Sequence, residues 1–469
     1  MRNGRVAWLI LLLLAAPSGA VEPIGPLATG VSESGVTLWA RGPGGFMEAE
    51  LERDGGVDRA LAASSAKTDH TASVRFDGLA PGTRYAYRVR FAGETSPRTG
   101  HFRTAPARGA AAPLRIAFGG DVAGQNVCRD RERGFPIFAA IRDFAPDLFL
   151  ALGDMIYADA VCEATGLHGN AQVPGGFPVA VTLEDFRAHW RYVRADQALA
   201  SLLAGAASTP VWDDHEVVND FGPRQGGELL DRGRRAYLEY NPAPEPGDAT
   251  RLHRSERWGR HVELFVLDTR SHRDPNAAPD ADSQPLKSML GAEQERWLRQ
   301  ALIGSDATWK LIVSSVPLAI PTGSNAQQMG RDGWAGFDTE TGFERSLLAL
   351  LEVLRDAGVR NLLWLTTDVH FASVQRFQPF AETPDFTFHE VVTGPLQAGL
   401  FPQRRLDPTL NPERLFYHGP TPAQEPETFE EALAWFNFGT LEVDAAGRLT
   451  IAVRGVDGGA LYELVLDPR

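Results

Sequence analysis

Several segments of this chain end alike: an apolar run delivers acidic, hydroxyl or imidazole side chains. "LRIAFGGD" ends at Asp121 and "LFLALGD" at Asp154, while "TPVWDDHE" carries Asp213, Asp214 and His215. "VELFVLDTR" carries Asp268 and Arg270, "KLIVSSVP" carries Ser314 and Ser315, and "LLWLTTDVH" carries Asp368 and His370. In "ALGDMIYAD", Tyr157 follows Asp154, with Asp159 beyond it. A single strand-end Asp is ordinarily a loop cap; a series of them in order is hard to explain as caps. Carboxylates gathered on one edge repel each other and are costly to keep ionised without counter-charge. Metal ions supply that charge, and Asp, His and Tyr with no thiolate in register describe hard to borderline cations. Two such ions sharing a carboxylate bind phosphate oxygens and activate a water, so phosphoester hydrolysis is the first chemistry implied. A phenol has a pKa of about 10 in solution. A trivalent cation beside it removes the proton and gains a strong phenolate ligand.

The elements that position these residues follow from periodicity. Buried strands alternate with amphipathic helical patterns such as "GAEQERWLRQALIGS" and "GFERSLLALLEVLRDAG", which predicts an α/β domain with its site at the carboxyl ends of strands. "GTLEVD", "RLTIAVRG" and "ALYELVLD" read as an antiparallel meander that would complete a second sheet. Residues 21–106 read as all-β, with Tyr85, Tyr87 and Val89 on one face of a strand. The pattern Leu79, Pro81, Thr83, Tyr85, Tyr87 resembles a fibronectin type III-like sandwich. Linker composition in "TAPARGAAAPL" divides the chain into a sandwich (21–106), a linker (107–113) and a catalytic domain (114–469).

A length of 469 residues implies more than one domain. Arg2 and Arg5 ahead of the apolar stretch Val6–Ala16, then Ser18-Gly19-Ala20, predict a signal peptide over 1–20 and an exported protein, periplasmic or extracellular. That apolar run is too short to span a bilayer, and no later segment reads as a span. Loss of the two arginines moves the formal charge from −14 to −16, which argues against stable nucleic-acid binding. Cys128 and Cys162 point to one disulfide in an exported protein, two buried thiols being the alternative. Oligomeric state leaves no trace in the residues.

"GDMIYAD" matches the Gly-Asp-x-x-Tyr signature of metallophosphoesterases that hold ferric iron with a tyrosinate, as purple acid phosphatases do. With "WDDHEVVND" and "TTDVH", the chain resembles the alkaline phosphatase D family (PhoD-like metallophosphatases), whose members carry a sandwich ahead of the catalytic domain. The resemblance covers nearly all of the mature chain. It implies a four-layer αββα metallophosphoesterase domain. It makes Asp121 the first-strand ligand, Asp154 the bridging carboxylate, and Tyr157 the iron-binding phenol. Asp214 stands where wider metallophosphoesterases have Asn. Asp368 and His370 complete the ligands, and His215 contacts phosphate and protonates the leaving oxygen. Arg270 is the candidate phosphate fork. One metal would see Asp121, Asp154, Tyr157 and His370, a set suited to Fe³⁺; the other would see Asp154, Asp214 and Asp368, an all-oxygen set suited to Ca²⁺, with Mg²⁺, Mn²⁺ or Zn²⁺ as alternatives.

The chain also departs from the family. Some members place a cysteine at the position of Asp121; here Cys128 lies downstream. Ser315-Val316-Pro317 stands where many relatives supply a further His, which favours the all-oxygen site. Arg2 and Arg5 are not the adjacent pair of a twin-arginine signal, and the stretch from Val217 to Tyr240 is short. Asp159 reads as a calcium ligand or a loop cap, and Asp213 as a ligand or a support for His215. His168 and His189 read as a loop and a helix-surface histidine, and Trp212 as core. The expectation is a phosphatase acting on phosphomonoesters, phosphodiesters or both by attack of a metal-bound hydroxide. The rivals are a phospholipase D-like diesterase acting on lipid headgroups and a non-catalytic surface protein with a relic phosphatase domain.

Overall fold

A computed structural model describes residues 21–242, 251–337 and 339–469, and of residues 224–226 the backbone only. The expected signal peptide, residues 1–20, lies outside the described residues.

Two sheets form the centre. The first runs Ala460–Leu466, Leu449–Gly455, Asn437–Val443, Leu114–Gly119, Leu148–Ala151, Ala207–Pro210, Ile24–Thr29, Gly35–Arg41, Thr71–Asp77. The second runs Arg254–Trp258, Val262–Val266, Trp309–Val313, Leu362–Thr366, Phe388–Val392, Ala372–Phe377, Pro412–His418. In the first, Leu114–Gly119, Leu148–Ala151 and Ala207–Pro210 are parallel. So are Val262–Val266, Trp309–Val313 and Leu362–Thr366 in the second. Their facing residues, Ile116, Phe118, Leu148 and Leu150 against Leu264, Leu311, Leu363 and Leu365, share one buried core. Phe149 and Ala151 turn the other way, onto the helices Ile137–Asp143, Leu183–Arg194 and Gln197–Gly205. Phe265, Ile312 and Trp364 likewise meet Gly291–Gly304 and Glu344–Asp356. Burial on both faces is why these strands are continuous apolar runs. The result is the four-layer αββα arrangement.

One expectation changes, and the sandwich shows how it joins the first sheet. The C-terminal meander adds to the first sheet, Asn437–Val443 pairing with Leu114–Gly119, while the second sheet is built from other strands. The N-terminal sandwich is not closed on itself: Ile24–Thr29 pairs in parallel with Ala207–Pro210, so three of its strands continue the first sheet. Gly35–Arg41 is therefore buried along its whole length, where an exposed sandwich face would have spared alternate residues. The sandwich's other four strands, Gly56–Ser64, Gly45–Arg53, Arg84–Phe91 and Arg98–Arg103, form a separate sheet. Side chains lock the seam. Trp39 Nε1 donates to the Glu239 carbonyl at 2.8 Å, and Asp69 accepts from Arg41 at 3.0 Å and Arg191 at 2.8 Å.

Candidate metal centre

The carboxyl ends of the parallel strands of both sheets converge. The first sheet brings Asp121, Asp154, Asp213, Asp214 and His215; the second brings Arg270, Ser315, Asp368 and His370. Asp121, Asp154, Asp368 and His370 all have positive φ, at 63°, 50°, 77° and 57°. This left-handed backbone is unfavourable for non-glycine residues, and such strain gathers at functional sites. Gly153 makes the approach possible, since a Cβ there would lie 2.7 Å from the Asp213 Cβ.

Tyr157 Oη donates to His370 Nε2 at 2.7 Å, and that nitrogen lies 4.0 Å from Asp121 Oδ1. His370 Nδ1 donates to the Gly399 carbonyl at 2.5 Å, which fixes Nε2 as the basic nitrogen facing the centre. Asp154, Asp213 and Asp368 each offer an oxygen within 4.8 Å of the others, and so do Asp154 and Asp214 with a His215 nitrogen. Asp213 thus joins the donors that sequence reasoning assigned to the all-oxygen site. A third group, Asp214, Asp220 and Asp332, adjoins them.

These donors fit cations. Asp121 Oδ1, Asp154 Oδ2, Asp213 Oδ2, Asp214 Oδ1 and Asp368 Oδ2 are buried without a hydrogen-bond partner. Unsatisfied buried oxygens of this kind are too costly to persist without a ligand. Burial pushes Asp121 up to about 8. Burial, then repulsion from Asp214 and Asp213, raises Asp154 well above the carboxylate range, and burial with Asp332 and Asp213 does the same to Asp368. Tyr157 is held in its neutral form by burial and the acidic neighbours. Only added positive charge lets this group ionise together.

His215 is held differently from expectation. Its Nδ1 lies 2.8 Å from Asp159 Oδ1, and Asp159 Oδ2 accepts from the Asn219 amide at 2.8 Å. Asp159 is therefore the orienting partner of His215, while Asp213 is tied to Arg270 Nε and, at 2.8 Å, to Ser315 Oγ. The His215 ring stacks on Tyr157, centroids 4.1 Å apart. Burial opposes the imidazolium, but Asp214, Asp159 and Asp213 outweigh it and bring its pKa to about 9.

Arg270 lies among the acidic groups. Its guanidinium is fully buried, with Nε on Asp213 at 2.5 Å, Nη1 on Asp332 at 3.0 Å and Nη2 3.5 Å from Asp214. It offsets the charge of these carboxylates, and Nη2 is buried without a hydrogen-bond partner. Sequence reading also passed over Glu216, whose buried carboxylate accepts from the amides of Asp154, Met155 and Asp213 at 3.1, 2.8 and 2.8 Å. Its place inside the "DDHE" run was the available signal. Asp268 is a loop cap, accepting from the Arg270 and Ser271 amides and from Trp212 Nε1. Trp212 is core, and His168 lies in a loop against the Pro426 carbonyl. His189 is buried against the Pro178 carbonyl, so the helix-surface reading fails. Cys128 and Cys162 form a disulfide, which excludes Cys128 as a ligand.

Comparison with known proteins agrees with this geometry. Residues 117–451 match the family model "PhoD-like phosphatase", and residues 28–106 match "PhoD-like phosphatase, N-terminal domain". The chain is 30% identical over 327 residues to alkaline phosphatase D of Bacillus subtilis (strain 168), a match covering 64% of this chain and 53% of that relative. It therefore spans about half of that protein's length. The fold resembles a solved structure of PhoD, with a TM-score of 0.73 and 21% identity over 96% of this chain and 90% of that one. It also resembles a purple acid phosphatase from yellow lupin (Lupinus luteus) seeds, with a TM-score of 0.62 and 14% identity over 94% and 74%. The chain belongs to the PhoD-like phosphatase family.

Proposed function

We propose that this protein is an exported, metal-dependent phosphatase hydrolysing phosphomonoesters, phosphodiesters or both. The observation that carries the reading is the set of five buried carboxylate oxygens without partners, facing Tyr157, His370 and His215. Asp121, Asp154, Tyr157 and His370 would hold one cation, Fe³⁺ by their mixed anionic character. Asp154, Asp213, Asp214 and Asp368 would hold a second, Ca²⁺ by their all-oxygen character. When bound, such cations supply Lewis acidity at phosphoryl oxygens and lower the pKa of water. The chain's own groups do the rest. His215 donates its Nε2 proton to the leaving oxygen, and Asp159 on Nδ1 keeps that nitrogen pointed outward. Tyr157 supports the imidazole plane from below. Glu216 fixes the loops that carry Asp154 and Asp213. Arg270 balances the carboxylate charge that substrate would otherwise meet.

The test is hydrolysis of a monoester and a diester by wild-type and His215→Ala protein, with and without chelator. Loss on chelation and a fall of roughly 10²–10⁴-fold in the variant are expected. Turnover indifferent to both would reject the reading.

A further inference from the structure

Asp121 offers its two oxygens unequally, and the cause is Thr367. Thr367 Oγ1 lies 2.6 Å from Asp121 Oδ2 and 2.7 Å from the Thr393 carbonyl. A hydroxyl has one proton to donate, and a carboxylate is the stronger acceptor, so Asp121 takes the larger share of it. Asp121 Oδ1 is left buried without a partner, 4.0 Å from His370 Nε2. The contact crosses between the sheets. Asp121 follows Leu114–Gly119 in the first, and Thr367 follows Leu362–Thr366 in the second, at a sequence separation of 246. Thr367 immediately precedes Asp368, and its amide donates to the Ser315 carbonyl at 3.0 Å. Both side chains are fully buried, in a seat shaped for the pair. A Cβ at Gly394 would meet Asp121 Oδ2 and lie 2.8 Å from Thr367 Oγ1, and one at Gly120 would lie 2.8 Å from Thr367 Cγ2. The β-branched side chain is itself stiff at χ1, so its hydroxyl is held in place.

We infer that Thr367 is a positioning residue for the first cation: it engages Asp121 Oδ2 and so presents Oδ1 alone on the side of His370 Nε2. A carboxylate with both oxygens free can turn about its own axis or chelate with both. With one oxygen tied, a single ligand direction is left. Partners that orient a ligand in this way typically change metal affinity about 10–100-fold when removed. The inference rests on the assignment of Asp121, Asp154, Tyr157 and His370 to Fe³⁺, and it names the group that orders the first of them.

The experiment withdraws iron from purified wild-type, Thr367→Val and Thr367→Ser protein with a competing chelator, following metal content and visible absorption together. Valine keeps the branched shape and removes the hydroxyl, whereas serine keeps the hydroxyl and removes the methyl group. Thr367→Val should hold iron roughly 10–100-fold more weakly and shift its visible band while keeping the second cation, and Thr367→Ser should stay within about threefold of wild type. A role in packing alone predicts the opposite order, with serine the impaired variant and valine like wild type. Wild-type iron affinity in a folded Thr367→Val would overturn the inference. So would loss of iron from a folded Thr367→Ser, which decides the matter if the valine variant does not fold. Wild-type protein that holds no iron would fail the assignment of the four ligands, and the inference with it. Iron held with the expected dependence on Thr367 by a protein that hydrolyses no ester would fail the phosphatase reading alone.

Discussion

Asp159 Oδ1 sits 2.8 Å from His215 Nδ1, and this pair fixes the orientation of a half-buried imidazole at the rim of the carboxylate cluster. The consequence is selective. Asp159→Ala should lower hydrolysis of alkyl phosphates by about 10–100-fold, because their leaving oxygen needs a proton. An aryl phosphate with an acidic leaving group should be affected much less. Rates compared across leaving groups for wild type and variant decide this. An equal loss on both would make Asp159 a mere support for the loop.

Arg270→Met should destabilise the protein outright. The substitution leaves Asp213 and Asp332 buried without their cation, a change that typically costs about 3–5 kcal/mol. Denaturant unfolding of metal-free protein reads it. A variant as stable as wild type with only a raised KM would leave Arg270 a phosphate fork alone.

The Cys128–Cys162 bridge closes a loop with a sequence separation of 34 residues, joining the stretch after Asp121 to the stretch after Tyr157. Replacing both cysteines by alanine should cost about 3–4 kcal/mol on the chain-entropy model. Thiol titration of the denatured, unreduced protein should find none free, and the variant should unfold earlier.

Acid should open the seam between sandwich and helices. Burial alone would raise the Asp69 pKa, but hydrogen bonds from Arg41 and Tyr240 and the charge of Arg191 leave it lowered. A folded-state pKa below the unfolded value gives stability that is present above about pH 4, the unfolded carboxylate range. It is lost as pH falls through the folded pKa. Asp69→Asn should therefore reduce stability at neutral pH and flatten its acid limb, as followed by melting temperature from pH 7 downward.

The sequence made the ligand types legible because strand ends recur with one chemistry, and it made the layers legible because doubly covered strands are unbroken apolar runs. Depth was not legible. Arg270 meets Asp213 and Asp332 across sequence separations of 57 and 62, and no local pattern says that such a group is buried. Asp159 looked like a ligand or a cap because its partner His215 lies 56 residues away. The positive φ of Asp121, Asp154, Asp368 and His370 is equally silent, since none is glycine. Sheet order was ambiguous for the same reason: the meander's alternation fixes which face is buried, but not which sheet it joins.

The most direct test of the central claim is metal analysis with visible absorption of purified wild-type and Tyr157→Phe protein. Tyr157 is placed against His370 Nε2 and the acidic cluster, so on this account its oxygen is a phenolate on ferric iron. Wild type should contain iron and absorb in the visible. Tyr157→Phe should lose the band, most of its iron and its activity, while the metal-free forms of both melt at similar temperatures. Fully active wild-type protein with neither iron nor a visible band would contradict the account.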